Sequence, residues 1–165
     1  MSVTLVRIDD RMIHGQVVML WTKYYQAESI VVLADDVVMN DPIIRKVVQQ
    51  AGYAVNKKVY LFGIQDAIEK MPKVLASNKT YYLISKKVHE LAELRRAGVD
   101  FGNEIVFGTS SKGKGNIEVY NNIYLSEEDI ADCEYLHSQG IELNFKLTPD
   151  EKGDTWVNIR KSLVK

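Results

Sequence analysis

The chain has 165 residues, of which 46% are hydrophobic, and its formal net charge is −1. This length suits a single domain, residues 1–165, with a substantial core, and the near-zero charge gives no reason to expect nucleic acid or an anionic membrane as a partner. A single cysteine, Cys133, excludes an internal disulfide and a cysteine-based zinc site.

The sequence contains no signal peptide or membrane-spanning run. Its first residues lack a basic stretch followed by an apolar one, and no apolar run approaches the ~20 residues that span a bilayer. We therefore expect a soluble, cytoplasmic protein that serves any membrane process by docking.

Short β-rich segments alternate with helical patterns along almost the whole chain. Several apolar runs are continuous rather than alternating, which is typical of strands buried on both faces. The pattern predicts seven strands, at residues 3–8, 29–34, 58–62, 80–85, 104–107, 122–125 and 141–146.

The helix predicted after the second strand has clear end signals. Asp41 is its expected cap, Pro42 occupies the first helical position, and Gly52 marks its predicted end. Its expected buried stripe consists of Ile43, Ile44, Val47, Val48 and Ala51.

Other helices are predicted between and after the strands. SEEDIADCEYLHSQG opens with a capping box of Ser126 and Asp129 and holds Cys133, which we interpret as a buried thiol. The remaining helical segments are QVVMLWTKYY, QDAIEKMPKVLAS with an interruption at Pro72, SKKVHELAELRRAG and DTWVNIRKSL.

This alternation predicts the α/β class, with an open, mostly parallel sheet covered by helices on both faces. Ligands of such sheets bind beyond the carboxyl ends of the strands, near the point where the strand order reverses. Five loops are therefore candidates: RIDDRMIHG, ADDVVMND, GIQ, SKK and GTSSKGKGN, which follow the first five strands in turn.

His14 lies at the end of the first of these loops, directly before a predicted helix. A helix N-terminus is an anion site because its N–H groups lack partners and carry partial positive charge. Gly15 allows close backbone approach, and the guanidinium of Arg11 can bind phosphate oxygens in a fork. Asp9 or Asp10 can orient the imidazole or hold Arg11.

From these residues alone, the alternative for His14 is an ordinary structural or solvent-exposed loop histidine, which is the more common case. His89 resembles a surface residue, and His137 near a helix C-terminus suits a capping role. The lysines of two candidate loops, including Lys86 and Lys112, are either solvated or attract a phosphorylated partner.

The run LVRIDDRMIHGQVVMLW resembles the N-terminal signature of the IIB components of the sugar phosphotransferase system, in the mannose/fructose/sorbose family. That signature reads R-I-D-D/E-R-L-I-H-G-Q-V directly after the first strand, and here Met12 stands where leucine is usual. A looser likeness extends over the whole chain and includes ADDVVMND and SEED. The loop GTSSKGKGN departs from the family's frequent Gly/Asn/Arg-rich composition.

The resemblance implies a three-layer α/β/α sandwich around a mostly parallel, seven-stranded sheet. It also implies a phosphotransferase that takes a phosphoryl group from a phosphohistidine of IIA, here a separate chain, onto Nδ1 of His14. The phosphoryl group then passes to a sugar moving through the membrane components IIC and IID, which hold the protein at the inner face of the membrane.

The implied site comprises His14 as the phosphorylated residue and Arg11 as the phosphate-binding residue. Asp10, Gly15 and Lys112 are expected to support them, and neither a metal nor a cofactor is expected. The sugar is undetermined, and a homo-oligomer stays open.

A receiver-type signalling domain is the main alternative, since it also has an acidic pair after its first strand, here Asp9 and Asp10. It requires magnesium, an aspartate directly after the third strand and a lysine after the fifth. Asp66 falls inside the following helical pattern instead. A nucleotide-binding module is disfavoured because no glycine-rich fingerprint follows the first strand.

Overall fold

The computed structural model describes residues 2–163 of the chain. The described strands are β1 (Val3–Ile8), β2 (Ser29–Leu33), β3 (Lys58–Phe62), β4 (Tyr81–Ser85), β5 (Glu104–Phe107), β6 (Ile117–Tyr120), β7 (Ile123–Leu125), β8 (Glu142–Phe145) and β9 (Asp154–Thr155). Seven of them form one sheet in the order β3-β2-β4-β1-β5-β8-β9.

This main sheet is parallel except at one edge, where β9 pairs antiparallel with β8. Residues 122–125 were predicted as a strand of the main sheet, and this placement is wrong. This segment contains β7, which pairs with β6 in a separate hairpin. An Asn-Asn pair makes that turn, with Asn122 at φ 57, and such left-handed positions are typical of tight hairpins. The prediction of seven strands thus omitted β6 and the two-residue β9.

Helices cover both faces of the sheet. They are α1 (Gly15–Trp21), α2 (Asp36–Met39), α3 (Pro42–Ala54), α4 (Ile64–Ala76), α5 (Val88–Arg96), α6 (Glu127–Ser138) and α7 (Trp156–Leu163). One core, between the sheet and α1–α3, buries Trp21, Val38 and Val48. The other core, which includes Met71 and Trp156, lies between the sheet and α4–α7. The expected three-layer α/β/α sandwich is confirmed.

The first helix is shorter than predicted, because α1 ends at Trp21 instead of continuing through QVVMLWTKYY. The hydroxyl of Thr22 donates to the Met19 carbonyl at 2.6 Å, and the Tyr25 carbonyl accepts from the hydroxyl of Tyr82. These bonds hold the chain in a turn towards β2 where a longer helix was expected.

The predicted stripe of α3 is wrong at two positions, since Ile43 and Val47 are 76% and 60% exposed. The buried residues of α3 are Val48 and Gly52. Gly52 lies inside the helix, which ends at Ala54, and not at its predicted end. The Asp41 cap is confirmed, because its carboxylate accepts from the N–H groups of Ile43 and Ile44.

Pro72 does not interrupt α4, which continues to Ala76. The side chain of Pro72 faces solvent, so the ring costs one helical hydrogen bond without colliding with the core. The capping box of Ser126 and Asp129 is confirmed, and Cys133 is buried. Burial raises the pKa of the Cys133 thiol well above its usual value. Among the described helices, none has the length and apolar character needed to cross a bilayer.

Gly52 packs too closely for any side chain. A Cβ atom there would lie 2.4 Å from the Lys57 carbonyl oxygen and 2.5 Å from Cγ2 of Val59. We expect Gly52→Ala to lower the free energy of unfolding by about 2 kcal/mol because backbone must shift. Gln50→Ala, an exposed change in the same helix, should stay within about 0.5 kcal/mol in the same urea titration. Equal values for the two variants would contradict this packing.

Candidate active site at the carboxyl edge of the sheet

The five candidate loops meet at one edge of the sheet, because the strands that they follow are parallel. The chain leaves β1 towards β2 on one side and leaves β5 towards β8 on the other. The strand order therefore reverses between β1 and β5, which is where such sheets bind ligands. The loop that ends in His14 starts at this crevice.

A tight turn shapes the start of this loop. The Met12 N–H donates to the Asp9 carbonyl at 2.9 Å, and Met12 adopts a left-handed conformation with φ 60. The Arg11 N–H donates to Oδ1 of Asp9 at 3.0 Å. Such a side-chain bond to a backbone group two residues later is typical of aspartate in turns. It fixes Arg11 beside Asp9.

Asp9 binds two arginines through one carboxylate. Arg11 binds this carboxylate in a bidentate, fork-like geometry, with Nε 3.2 Å from Oδ1 and Nη2 3.2 Å from Oδ2. Arg7 approaches from the interior, with Nη2 3.5 Å from Oδ2, and Thr109 donates its hydroxyl to Oδ1 at 3.3 Å. The bond to Asp9 is the main cause that raises the pKa of Arg11. We call Arg7, Asp9 and Arg11 the arginine–aspartate cluster.

Arg7 is buried, and its surroundings hold it in place. Its Nη2 donates to the Leu147 carbonyl at 3.4 Å, and its Cζ lies 4.8 Å from the centre of the Trp21 ring. A Cβ atom at Gly108 would lie 2.4 Å from Nη2, so the guanidinium packs directly on that backbone. Burial lowers the pKa of Arg7 more than the neighbouring Asp9 raises it.

His14 is the residue that precedes α1, and it has an extended backbone with φ −118. Its carbonyl accepts the first helical bond, from Val18 at 3.0 Å, and no side chain caps the helix. The His14 ring is partly exposed, but its Nδ1 is buried without a hydrogen-bond partner. Together with Arg7 and Trp21, His14 lines a small cavity of about 10 Å³.

The other predicted site residues lie in or near this loop, and their side chains make no hydrogen bond to His14 among residues 2–163. Oδ2 of Asp10 accepts from the hydroxyl of Ser111, so this side chain ties two loops together. Lys112 is exposed in the loop after β5. A Cβ atom at Gly15 would meet its nearest neighbour at 4.0 Å, so packing alone does not require glycine there.

A larger cavity of about 220 Å³ lies at the same edge and excludes His14 and Arg11. It collects residues from three of the candidate loops and from the β6–β7 hairpin. These include Asp10, Lys86, Lys87, Ser110, Ser111, Asn116 and Tyr124. The loop after β2 joins the group through Asp35, whose carboxylate lies 3.2 Å from Nζ of Lys86. Four of the five candidate loops, all except GIQ, therefore lie together at this edge.

Asp9 and Asp10 differ in their surroundings from the acidic pair of a receiver domain. Within residues 2–163, no group of three or more His, Cys, Asp or Glu side chains is arranged to hold a metal ion. Asp9 faces two guanidinium groups, and Asp66 is exposed in α4, 3.8 Å from Lys70. The receiver-type alternative is therefore not favoured.

Sequence reasoning missed Arg7 as a site residue, because it interrupts an otherwise apolar strand and was interpreted only as part of that strand. The signal was present, since a charged residue in the middle of a buried run needs a partner. The alternatives left open for Asp9 and Asp10 are resolved in favour of Asp9 as the residue that holds Arg11.

The fold and the loop define an open α/β protein with a cationic cluster and a histidine at the crevice of its sheet. The family model for the sorbose subfamily IIB component of the PTS system matches residues 3–165. The chain therefore belongs to this family: it is a IIB component of a sugar phosphotransferase system, a phosphotransferase that acts in sugar transport.

Known relatives agree with this assignment. The N-acetylgalactosamine-specific phosphotransferase enzyme IIB component 1 of Escherichia coli is 28% identical over 92% of this chain and 94% of its own length. The crystal structure of the IIBSor domain of the sorbose permease from Klebsiella pneumoniae is 25% identical, covers 98% of both chains and superposes with a TM-score of 0.88. The mannose-specific EIIAB component of Escherichia coli is 29% identical over 92% of this chain and 46% of its own length.

Removal of the Asp9 charge should leave Arg7 buried without a carboxylate. We expect Asp9→Asn to lower the free energy of unfolding by about 3 kcal/mol, because an unpaired buried charge is costly. Asp10→Asn, the neighbouring change at a more exposed carboxylate, should cost less than about 1 kcal/mol. Urea unfolding of both variants measures the difference. A larger loss from Asp10→Asn than from Asp9→Asn would contradict the described cluster.

Proposed function

We propose that this protein accepts a phosphoryl group on His14 from a phosphohistidine of a IIA component and passes it to a sugar. The sugar, a hexose or a related compound, would enter through the membrane components IIC and IID, which would also hold the protein at the inner face of the membrane. Residues 1–165 would act as one IIB-type phosphocarrier domain.

The position of His14 at the start of α1 is the observation that carries this proposal. The first N–H groups of a helix have no partner within it, and the His14 side chain makes no capping hydrogen bond to α1. A phosphoryl group on the ring would lie near these groups and near the positive end of the helix dipole. Gly15 contributes one of these N–H groups.

Arg11 supplies the charge that a phosphoryl group requires. Its side chain is 42% exposed, and its fork to Asp9 uses Nε and one hydrogen of Nη2. Phosphate oxygens, which arginine binds with two parallel hydrogen bonds, would compete with Asp9 for this fork. Lys112 would act by attraction from the loop after β5, and Asp10 would tie the His14 loop to that loop by its bond to Ser111.

Transfer between two imidazoles requires mainly alignment and charge stabilisation. The lone pair of a His14 ring nitrogen attacks phosphorus, the phosphorus–nitrogen bond of the donor breaks, and its electron pair returns to the donor imidazole. In the second transfer, a sugar hydroxyl oxygen attacks phosphorus and loses its proton, while the bond to His14 breaks. If Nδ1 is the acceptor, the ring must first turn about the Cβ–Cγ bond, since Nδ1 is buried.

The identity of the donor is supported by the EIIAB relative, whose name joins a IIA and a IIB part in one protein. We infer that IIA acts here as well, on the loop that holds His14 and Arg11. Which sugar is served depends on the membrane components.

Phosphorylation by phosphoenolpyruvate, the two general phosphotransferase proteins and a purified IIA component of this family tests the proposal. Phosphoramidate, a chemical donor, provides a route that needs no protein partner. We expect intact mass to show one phosphoryl group that is labile in acid and stable in base. His14→Ala should abolish it, because the accepting nitrogen is lost.

His89→Ala is the matched control, since His89 is 59% exposed and lies on α5 outside the loop. This variant should be phosphorylated like the wild type. A phosphoryl group that persists on His14→Ala would refute the proposal, as would a wild-type protein that accepts none from either donor. An adduct stable in acid and dependent on magnesium would favour the receiver-type alternative.

A further inference from the structure

The arginine–aspartate cluster carries one more positive than negative charge. Arg7 and Arg11 both face the single carboxylate of Asp9. Two of these groups are buried, with side-chain exposures of 3% for Arg7 and 2% for Asp9, whereas Arg11 is 42% exposed. A buried charge requires a compensating charge. Arg7 and Asp9 supply this for each other, and the excess positive charge lies on the more exposed Arg11.

The two arginines differ in their freedom to move. Arg7 is enclosed by the Trp21 ring, the Leu147 carbonyl and the backbone of Gly108. Arg11 borders solvent, and its side chain donates hydrogen bonds to Asp9 through Nε and Nη2. Arg7 is therefore a fixed cation, whereas the Arg11 side chain is free to move away from Asp9.

Arg7 also has unused hydrogen-bond donors. Its Nε and Nη1 are buried without a partner, while both oxygens of Asp9 are engaged by Arg11. Departure of the Arg11 side chain would free Oδ2 of Asp9, whereas Oδ1 would keep its bonds from the Arg11 N–H and the Thr109 hydroxyl. The 3.5 Å contact between Arg7 and Oδ2 would then be free to shorten.

We propose that Arg7 is a positioning residue: it stays with Asp9 as a permanent counter-ion and so allows Arg11 to exchange from Asp9 to the phosphoryl group on His14. This inference rests on the proposed phosphorylation of His14. Without Arg7, movement of Arg11 would leave a buried carboxylate with no cation, and the loss would oppose the exchange. With Arg7 in place, Asp9 keeps one partner and the charge of the cluster falls to zero.

The test compares rates of His14 phosphorylation in Arg7→Gln and in the double variant Arg7→Gln/Asp9→Asn, with phosphoramidate as the donor. Arg7→Gln should slow the reaction by about tenfold or more, because Asp9 then holds its only cation. The double variant should recover to within about threefold of the wild type, because an amide no longer holds Arg11.

The matched control removes the exchangeable arginine instead. Arg11→Gln and Arg11→Gln/Asp9→Asn should be equally slow, because no guanidinium is left to exchange. A purely structural role for Arg7 predicts that Arg7→Gln/Asp9→Asn is no faster than Arg7→Gln, and that result would overturn the inference. Recovery in the Arg11 double variant would overturn it too.

A measurement on the wild-type protein covers the case in which Arg7→Gln fails to fold. In protein labelled with ¹⁵N-arginine, phosphorylation should strongly shift the Nε–H resonance of Arg11. The Nε proton of Arg7 should stay protected from exchange with water. A shift of the Arg7 resonance with the Arg11 resonance unchanged would contradict the movement of Arg11 from Asp9 to the phosphoryl group. No adduct on the wild type would refute the proposed function itself, whereas an adduct with the wrong pattern of variants would refute this inference alone.

Discussion

The loop before α1 depends on one buried carboxylate, that of Asp9. It accepts the backbone N–H that sets the turn, it holds the fork of Arg11, and it faces the enclosed guanidinium of Arg7. Charges in an interior are stable only when opposite charges and hydrogen bonds surround them. Gly108 belongs to this arrangement as well, because any larger residue at the end of β5 would occupy the space of the guanidinium.

The alternation of side chains along β1 explains how one strand serves both a core and a charged site. Val6 and Ile8 join the core on the α4–α7 side, whereas Leu5 joins the core on the α1–α3 side. Arg7 lines the same small cavity as Leu5, as the period of two in a strand requires. The side chain of Arg7, near the end of β1, therefore lies on the side of α1, the helix that follows this strand. Trp21 of α1 covers its guanidinium.

Sequence reasoning recovered those parts of the fold that depend on long apolar runs and on strong end signals. The six parallel strands, the Asp41 cap and the capping box at Ser126 are of this kind. The hairpin, β9 and the exposed side of α3 were not recovered, because pairing partners and the rotation of a helix are set by tertiary contacts. In the site, spacing located His14 and Arg11 on one loop, but it could not decide which aspartate pairs with Arg11. That choice depends on the tight turn at Met12, whose left-handed conformation is unusual for its residue type.

The site combines a fixed part with a free part, and this division suits the function that we propose. Arg7 and Asp9 are enclosed, whereas Nδ1 of His14 has no hydrogen-bond partner within residues 2–163. A carrier must present the same phosphoryl group first to a donor imidazole and then to an acceptor hydroxyl, in two different complexes. A ring locked in one geometry would serve one of these partners at the expense of the other, because transfer requires close alignment of the reacting atoms. A ring that turns beside a fixed charge would meet both partners, provided that the charge supplied by Arg11 moves with the phosphoryl group.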